Sequence, residues 1–491
     1  MTDSKIIKRF SKLLILKILI LFLMIGHLTS SDAAEYSVKF DADNFSEKII
    51  NIDGRTIAYR AYEGIVYVSR PVDTRYQTMN FYVPAEYYQG RSIGNYTMET
   101  APVFFPNTVG GYMPGAAGSP GQNPGNRPDT IALALAKGYV VASPGARGRT
   151  LKDKKGRYTG KAPACIVDLK AAVRYLHFND KIMPGNAERI ISNGTSAGGA
   201  LSSLLGATGN SPDYEPYLKA IGAAAGRDDI FAASCYCPIT NLDNADTAYE
   251  WLFNGINRYN GWGKSGTLNA DQIRLSDQLK ALFPVYLNNL RLKKTDGSSL
   301  LLDENGEGSF KNYVKSFVIA SAQNALNNGK SLSDLNWITI KDGLVKDINL
   351  GRFMAYATRM KTPPAFDALD MSSPETNLFG TEKIDNQHFT RFAMEKSTSH
   401  SLADMRIVKM MNPMDYIGEK EITTAKYWRI RHGAVDRDTS LAIPVILATK
   451  LQNNGFDVDF AMPWGQGHGG DYDPDELFAW IDRVCSESEN H

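Results

Sequence analysis

The pattern of hydrophobic and polar positions divides the chain into a strand-rich beginning, an alternation of helices and strands, and a long irregular segment. Up to about residue 110, β-forming side chains alternate or cluster between turn residues, and the apolar run PVFFP at 102–106 is a candidate buried strand. The predicted strands are 56–62, 65–68, 79–83, 102–106, 139–142 and 189–193, and the predicted helices are 130–137, 166–178 and one from Ala197. Strands that alternate with helices predict a mostly parallel sheet.

The alternation stops near residue 251 and resumes near residue 421. The segment between them is irregular, polar and rich in Asn, Asp, Lys and Gly, with amphipathic stretches at 270–292 and 310–328. The resumed pattern predicts a strand at 426–432, a helix at 440–453, a strand at 457–462 and a last helix from Pro474. We therefore expect an α/β fold, a mostly parallel sheet with helices on both faces, that is interrupted once. The expected parts are 34–250 for the first part of the core, 251–420 for a lid insertion and 421–491 for the last part of the core.

The first residues have the layout of a secretory signal peptide at 1–33. Basic residues precede an apolar run whose core is 18–25, and the small residues Ser31, Ala33 and Ala34 supply a cleavage site. This core is well short of the roughly 20 residues that a membrane span needs. We therefore expect export, to a secreted, periplasmic or cell-surface location. An uncleaved membrane anchor is the alternative.

Composition narrows the possible functions. The 491 residues have a net charge of +1 and are 22% charged and 43% hydrophobic, which excludes a strongly basic nucleic-acid binder and an acidic disordered tail. Four cysteines are too few for a disulfide scaffold. Cys235 and Cys237 are two residues apart in a predicted strand and are poorly placed to pair with each other, whereas Cys165 or Cys485 either pairs with one of them or is a buried thiol. No metal-ligand spacing occurs, and we expect neither metal nor cofactor.

The chain contains one G-x-S-x-G sequence, with Ser196 at its centre. An apolar strand precedes it and a helix of small and apolar residues follows, which is the context of the nucleophile elbow of α/β-hydrolases. The sharp turn crowds the backbone, so the flanking positions must be small. The N–H of Ala197 then lies at a helix N-terminus, where an oxyanion is stabilised. The alternative is a Gly-rich turn with an ordinary serine.

A nucleophilic serine needs a base, and the base needs an orienting carboxylate. In α/β-hydrolases these follow the serine in the order acid, then histidine, each after a late strand. His468 follows the predicted strand 457–462 and is our candidate base. Asp436 and Asp438 follow the predicted strand 426–432, and position favours Asp436 as the orienting acid, which leaves Asp438 free for another role. The other histidines, at 27, 177, 388, 400, 432 and 491, have no positional argument for catalysis.

A second oxyanion donor is expected in the loop after an early strand. The sequence TVGGY at 108–112 fits, because glycine lets backbone N–H groups approach a substrate carbonyl closely. Gly110 is our candidate donor. A plain Gly-Gly turn is the alternative.

Several longer sequences resemble those of bacterial tannases (tannin acyl hydrolases), which are related to feruloyl esterases within the α/β-hydrolase superfamily. The resemblance covers most of the chain after residue 100. It rests on NTVGGYMPG at 107–115, NGTSAGGALSSLLGATGNS at 193–211, MKTPPAFD at 360–367, SSPE at 372–375, HGAVDRDTS at 432–440 and GQGHGG at 465–470. It implies a triad of Ser196, Asp436 and His468, with the N–H groups of Gly110 and Ala197 as the oxyanion hole.

The resemblance further implies that Lys361, Glu375 and Asp438 bind the phenolic hydroxyls of a galloyl ring. From the residues alone, Lys361 and Glu375 would be interpreted as solvated charges in Pro-rich loops. Carboxylate acceptors and a cationic donor that converge on one ring edge do suit three adjacent hydroxyls. A site with such buried polar groups also rejects analogues that lack the hydroxyls.

The leading hypothesis is an exported serine esterase that hydrolyses galloyl ester bonds of tannins, and depside bonds in addition, to release gallic acid. Its expected partner is a small polyphenol ester, with no nucleic acid and no stable membrane partner unless the signal stays uncleaved. One alternative is the same machinery acting on feruloyl or other carboxylic esters. The other is a catalytically silent hydrolase fold that serves as a binding protein.

Overall fold

A computed structural model describes residues 35–52, 54–123, 127–261 and 263–488. The predicted signal peptide lies outside these described residues. Among them, the strands numbered in chain order are β1 Ser46–Ile52, β2 Arg55–Val66, β3 Thr78–Pro84, β4 Pro102–Pro106, β5 Gln122–Asn123, β6 Arg127–Pro128, β7 Val140–Pro144, β8 Asn186–Thr195, β9 Ala232–Tyr236, β10 Arg258–Gly261, β11 Lys264–Thr267, β12 Ile338–Lys341, β13 Leu344–Ile348, β14 Tyr427–Arg431 and β15 Asp457–Ala461.

Nine of these strands form one sheet in the order β1-β2-β3-β7-β4-β8-β9-β14-β15. The six strands from β7 to β15 run parallel to one another, and β1, β2 and β3 add antiparallel pairs at one edge. The carboxyl ends of β4, β8, β14 and β15 therefore meet at one edge of the sheet, where ligands bind in open α/β folds. Each of these strands is followed by a loop or turn that carries a predicted site residue.

Helices precede or follow most of the parallel strands and pack against the sheet. They are Thr130–Ala136, Ala164–Asn179, Ala197–Ala207, Glu215–Ala220, Leu242–Phe253, Ala270–Asn289, Ser309–Asn327, Leu350–Ala357, Pro374–Leu378, Arg391–Lys396, Met405–Met410, Ala442–Asn453 and Pro474–Glu487, with short 3-10 helices at Ala85–Gln89, Pro212–Tyr214 and Pro413–Asp415. Local sequence defines several of their starts. Asn269 forms a capping box with Gln272, and Pro474 occupies the first turn of the last helix, where a missing N–H costs nothing. The mostly parallel sheet with helices confirms the predicted α/β class.

The central strands are buried on both faces, and most of their residues are apolar. All five residues of β4, β7, β9 and β14 are buried, as expected for parallel strands covered on both sides. Trp428 of β14 is fully buried and packs so closely on the helix Ala197–Ala207 that a Cβ at Gly206 would lie 2.7 Å from its ring. This contact fixes the helix that begins beside Ser196 against the sheet.

Most predicted elements after residue 100 are found within a few residues of their expected bounds. One difference is that 56–62 and the first two residues of 65–68 belong to a single strand, β2, whose pairing with β3 is irregular between Tyr62 and Ile65. The pattern did not predict β1 or the two hairpins β10–β11 and β12–β13, whose residues are mostly exposed. The four cysteines, for which pairing was left open, are buried free thiols.

None of the residues described between 251 and 420 joins the central sheet. The described residues from Ser37 onward nevertheless form one compact unit, and the helix Leu242–Phe253 runs across the predicted boundary at residue 250. The domain bounds and the lid role of this segment therefore stay a prediction. Within the described ranges, no helix has the length and apolar character to cross a membrane.

Candidate active site

Ser196 occupies the turn between β8 and the helix Ala197–Ala207, with φ +61° and ψ −123°. A positive φ is strained for a residue with a side chain and persists only where the surroundings hold it. Here the Ser196 N–H donates to the carbonyl of Tyr236 over 2.9 Å, and the Ser196 carbonyl accepts from the Ala200 N–H over 2.9 Å. The serine is therefore held at the carboxyl end of β8, in the geometry expected of a nucleophile elbow.

The glycines of this turn are required by close backbone contacts. A Cβ at Gly194 would lie 2.3 Å from the carbonyl oxygen of Gly198, and a Cβ at Gly198 would lie 2.7 Å from the carbonyl oxygen of Val109. The side chain of Asn107 fills the remaining space and donates to the Gly198 carbonyl over 3.1 Å. The loop after β4 is thereby joined to the serine turn.

Asp436 and His468 lie in the loops that follow β14 and β15, and the Nδ1 atom of His468 is 2.9 Å from Oδ2 of Asp436. The Asp436 carboxylate is fully buried. The two loops pack against each other so tightly that a Cβ at Gly433 would lie 2.3 Å from the carbonyl oxygen of Gln466. Asp438 lies two residues further along the same loop. Unlike Asp436, it lines a cavity that Ser196 also borders.

The charges of this pair support one protonation state. Burial by itself raises the pKa of Asp436, but His432 and the hydrogen bond to His468 outweigh it and hold that pKa at about 2. Burial lowers the pKa of His468, whereas its hydrogen bond to Asp436 and the charges of Asp436 and Asp438 raise it by more. An ionised Asp436 accepts a hydrogen bond from the Nδ1–H of His468, so Nε2 of the neutral imidazole is free to accept a proton.

Gly110 and Ala197, the predicted oxyanion donors, border the same cavity as Ser196. Ala197 is the first residue of its helix, so its N–H has no carbonyl of a preceding helical turn to bind. Gly110 lies in the loop after β4, where its carbonyl accepts from the Met113 N–H over 2.9 Å. A Cβ atom added at Gly110 would have no other atom within 4 Å, so the space beside this part of the backbone is open.

Lys361, Glu375 and Asp438 come together although they are far apart in the chain. The Nζ atom of Lys361 lies 3.3 Å from Oδ1 of Asp438 and 3.9 Å from the centre of the Phe366 ring. Glu375 lies in the first turn of the helix Pro374–Leu378 and is only 8% exposed. Burial raises the pKa of Glu375, which the charge of Lys361 partly offsets. The interpretation of Lys361 and Glu375 as solvated side chains is therefore wrong: Glu375 is buried, and the Lys361 side chain is only 15% exposed beside Asp438.

A cavity of about 820 Å³ joins these groups. Seven of the predicted residues line it, namely Gly110, Ser196, Ala197, Lys361, Glu375, Asp438 and His468. Asp436 lies behind His468. Much of the remaining wall is apolar, with Ile239, Met360 and Pro364 among the lining residues. An apolar cavity with a few convergent polar groups is the usual form of a small-molecule site.

The sequence pattern indicated no functional role for His432 or Cys237, yet both lie beside Asp436. His432 is fully buried, its Nδ1 is 3.7 Å from Oδ2 of Asp436, and neither ring nitrogen has a hydrogen-bond partner among the described residues. Burial lowers the pKa of His432. Cys237, His432 and Asp436 offer potential metal-ligand atoms within 4.8 Å of one another. Spacing could not indicate this group because Cys237 follows β9, whereas His432 and Asp436 follow β14. The Asp436 carboxylate already accepts a hydrogen bond from His468.

Tyr249, also missed, extends the site from the helix Leu242–Phe253. Its hydroxyl accepts from the N–H groups of Met360 and Lys361, each over 3.1 Å, and donates to the Arg437 carbonyl over 3.1 Å. In the sequence it is one of three aromatic residues near the end of this helix, and that pattern indicates only a core position.

Comparison with known proteins agrees with this geometry. The family model described as BD-FAE matches residues 110–257. The structure of a tannase from Fusobacterium nucleatum has a TM-score of 0.90 and 54% sequence identity, covering 92% of this chain and 100% of that one. The native tannin acyl hydrolase from Lactobacillus plantarum has a TM-score of 0.89 and 48% identity, covering 91% of this chain and 99% of that one.

A further structure, titled as a tannin acyl hydrolase in complex with ethyl gallate, has a TM-score of 0.88 and 48% identity, covering 91% of this chain and 99% of that one. No curated protein sequence matches the chain. Identity near one half over almost the whole of both chains shows common family membership, and it also confirms the α/β-hydrolase fold. The chain belongs to the bacterial tannase (tannin acyl hydrolase) family and is a carboxylic ester hydrolase.

Proposed function

We propose that this protein is an exported serine esterase that hydrolyses the galloyl ester and depside bonds of tannins and releases gallic acid. The observation that carries the proposal is a single cavity lined both by Ser196 and His468 and by the charged cluster of Lys361, Glu375 and Asp438. Ser196 and His468 suit ester hydrolysis, whereas the charged cluster suits a ring with adjacent hydroxyls. A family member has been solved with ethyl gallate.

Acylation begins with attack of the Ser196 hydroxyl oxygen on the ester carbonyl carbon while Nε2 of His468 takes the hydroxyl proton. The N–H groups of Gly110 and Ala197 stabilise the negative charge that develops on the carbonyl oxygen. The tetrahedral intermediate then collapses, the bond to the alcohol oxygen breaks, and His468 returns its proton to that oxygen. The products of this half-reaction are the free alcohol and a galloyl-serine ester.

Deacylation repeats these steps with water as the nucleophile. His468 takes a proton from the water as its oxygen attacks the acyl carbon, and the proton then passes to Ser196 as the serine ester bond breaks. Gallic acid leaves. Asp436 keeps the imidazole oriented and stabilises its protonated form in both half-reactions.

The charged cluster accounts for acyl selectivity. The Lys361 ammonium group donates to a phenolic oxygen, and the carboxylates of Glu375 and Asp438 accept from phenolic O–H groups. An acyl ring without hydroxyls would leave these buried groups unpaired, and sites of this kind discriminate strongly against such analogues.

A second candidate function is hydrolysis of feruloyl or other carboxylic esters by the same triad. The observation in its favour is that the BD-FAE match ends at residue 257, so it includes Ser196 but neither Lys361 nor Glu375. A feruloyl ring presents fewer hydroxyls than a galloyl ring and would use less of the charged cluster.

The decisive experiment compares methyl gallate, methyl ferulate and p-nitrophenyl acetate as substrates of the protein from residue 34 onward. We expect methyl gallate to have the highest kcat/KM and Ser196→Ala to abolish turnover of all three esters. Faster turnover of methyl ferulate would favour the second candidate. Full activity of Ser196→Ala would refute the mechanism, and failure of the protein to react with a fluorophosphonate probe would favour the silent binding protein.

Export is tested separately. The full-length chain, expressed in a bacterial host, is expected in the periplasm or medium with a new N-terminus after Ala33, because the apolar core is too short to anchor it. N-terminal sequencing of the exported protein provides the readout. Retention in the membrane fraction with an intact N-terminus would instead show an anchor.

A further inference from the structure

The substrate-binding cluster depends on a loop without regular secondary structure. Lys361 follows the helix Leu350–Ala357 in the chain, and residues 360–373 form neither helix nor strand before the short helix that carries Glu375. Loops are generally more mobile than the elements they join. Recognition of fixed hydroxyl positions, however, requires side chains held to within about 0.5 Å. Other groups must therefore fix the loop.

The helix Leu242–Phe253 supplies these groups from two side chains on one face. Tyr249 binds the N–H groups of Met360 and Lys361, at the start of the sequence MKTPPAFD. The Asp246 carboxylate accepts from the N–H groups of Phe366 and Asp367, over 2.7 Å and 3.1 Å, at its end. Positions 246 and 249 are three apart, so their side chains lie side by side on the helix. The two ends of the 360–367 segment are thus bound to one rigid element.

Tyr249 also contacts the other half of the cluster. Its hydroxyl donates to the carbonyl of Arg437, the residue between Asp436 and Asp438. The same oxygen therefore bonds to the backbone of Lys361 on one side and to the loop of Asp438 on the other. The tyrosine ring is fully buried and stacks on Phe253 with ring centres 4.5 Å apart. A buried, stacked ring holds its hydroxyl at a fixed point, so the hydroxyl can fix the two loops relative to each other.

We propose that Tyr249 is a positioning residue that sets the distance between Lys361 and Asp438 and thereby the selectivity for hydroxylated acyl groups. It does not line the cavity, and it acts through the backbone of both loops. This inference rests on the proposed function, because it assumes that Lys361 and Asp438 bind the phenolic hydroxyls.

The test is Tyr249→Phe, which keeps the buried ring and removes only the hydroxyl. We expect kcat/KM for methyl gallate to fall about tenfold to a hundredfold, mainly through KM, which is the scale expected when binding groups are misplaced by about 1 Å. We expect kcat/KM for p-nitrophenyl acetate, which has no phenolic hydroxyls, to change by about twofold at most. A parallel fall for both esters, or no change for either, would overturn the proposal.

Tyr214→Phe is the matched control. Tyr214 is also fully buried, and its hydroxyl donates over 2.6 Å to a backbone carbonyl, that of Met410, in a part of the fold that does not line the cavity. This variant loses the same kind of hydrogen bond and is expected to keep the wild-type ratio of the two activities. Loss of gallate selectivity in Tyr214→Phe as well would mean that any buried hydroxyl deletion has this effect, which would overturn the specific role of Tyr249.

A double variant separates this inference from the proposed function. If Tyr249 acts through Lys361, then Tyr249→Phe should reduce gallate hydrolysis much less in a Lys361→Met background than in the wild type. Equal reductions in both backgrounds would overturn the positioning role. If Lys361→Met alone leaves gallate hydrolysis unchanged, the proposed function itself fails. Thermal unfolding of each variant verifies that all of them are folded when they are compared.

Discussion

The backbone N–H of Asp438 donates a hydrogen bond to Oδ1 of Asp436 over 2.8 Å. Oδ1 of the Asp438 side chain lies 3.3 Å from Nζ of Lys361. One short loop thus supports the proposed orienting acid and also contributes to the proposed ring-binding cluster. The two functions are linked through a backbone of three residues, and the following predictions separate them.

Replacement of Asp438 by Asn should move the acid limb of the pH–rate profile. Hydrolysis needs neutral His468, so kcat/KM falls as pH drops through the pKa of His468. Burial lowers that pKa, but the bond to Asp436 and the charges of Asp436 and Asp438 raise it above its ordinary value. Asp438→Asn removes one of the raising charges, and the limb should shift to lower pH.

The profile is measured with p-nitrophenyl acetate, so that altered ring binding does not contribute. The exposed Glu304→Gln variant removes one negative charge elsewhere and should leave the limb in place. A limb that stays in place, or that moves to higher pH, in Asp438→Asn would contradict the electrostatic argument.

Replacement of Asp436 by Asn should reduce kcat by about 10³ to 10⁴ for every ester, because an amide cannot stabilise a protonated imidazole and favours the wrong tautomer. The fall should be similar for methyl gallate and p-nitrophenyl acetate, since Asp436 does not line the cavity. Steady-state kinetics with both esters provide the measurement. A loss smaller than about tenfold would assign the orienting role to another residue.

Replacement of Glu375 by Gln should weaken gallate hydrolysis selectively. The side chain is 8% exposed, and an amide in its place turns an acceptor site partly into a donor. An unpaired buried group costs about 1–3 kcal/mol, which corresponds to a fall of roughly tenfold to a hundredfold in kcat/KM for methyl gallate. The ratio of kcat/KM for methyl gallate to kcat/KM for methyl benzoate should fall as well. Glu382→Gln, an exposed acid nearby in the chain, is the control, and equal effects in both variants would refute the prediction.

Substitution by alanine should have different effects at the neighbouring residues Gly470 and Gly469. A Cβ at Gly470 would lie 1.9 Å from Oγ1 of Thr195, the residue before Ser196, whereas a Cβ at Gly469 would meet nothing within 4 Å. Gly470→Ala must displace either the serine turn or the loop of His468, at a cost of about 1–3 kcal/mol. We expect a lower Tm and lower activity for Gly470→Ala and near-wild-type values for Gly469→Ala. Equal Tm values for the two variants would show that the loop adapts freely.

The sequence was sufficient to indicate Ser196, Asp436 and His468 as candidates, and the reason is physical. Ser196 follows β8 and Asp436 follows β14, both mostly buried, and His468 follows the partly buried β15, so the alternation of strands and helices locates each residue at the edge of the sheet. The antiparallel edge was less predictable because β1 is half exposed and has a weaker pattern. The exposed hairpin strands β10 and β11 left no periodic pattern for the same reason.

The pattern of hydrophobic and polar positions could not identify Lys361 and Glu375 as site residues. Their loop has no repeating structure, and its position is fixed by contacts with residues far away in the chain, such as Tyr249 and Asp246. Composition predicts solvent exposure for a lysine and a glutamate beside prolines, and only the resemblance to a family marked them. The long-range hydrogen bonds of Tyr249 left no signal in the sequence at all.

The place where residues 251–420 leave and rejoin the core has a consequence for protein engineering. The central-sheet strands before and after this segment, β9 and β14, are direct neighbours in register, with Ala232 opposite Tyr427. The chain therefore departs from and returns to adjacent points of the sheet, and none of the described residues between 251 and 420 pairs with it. A change of length within the segment, in a loop away from Lys361 and Glu375, would therefore leave the strand pairing of the core unaltered.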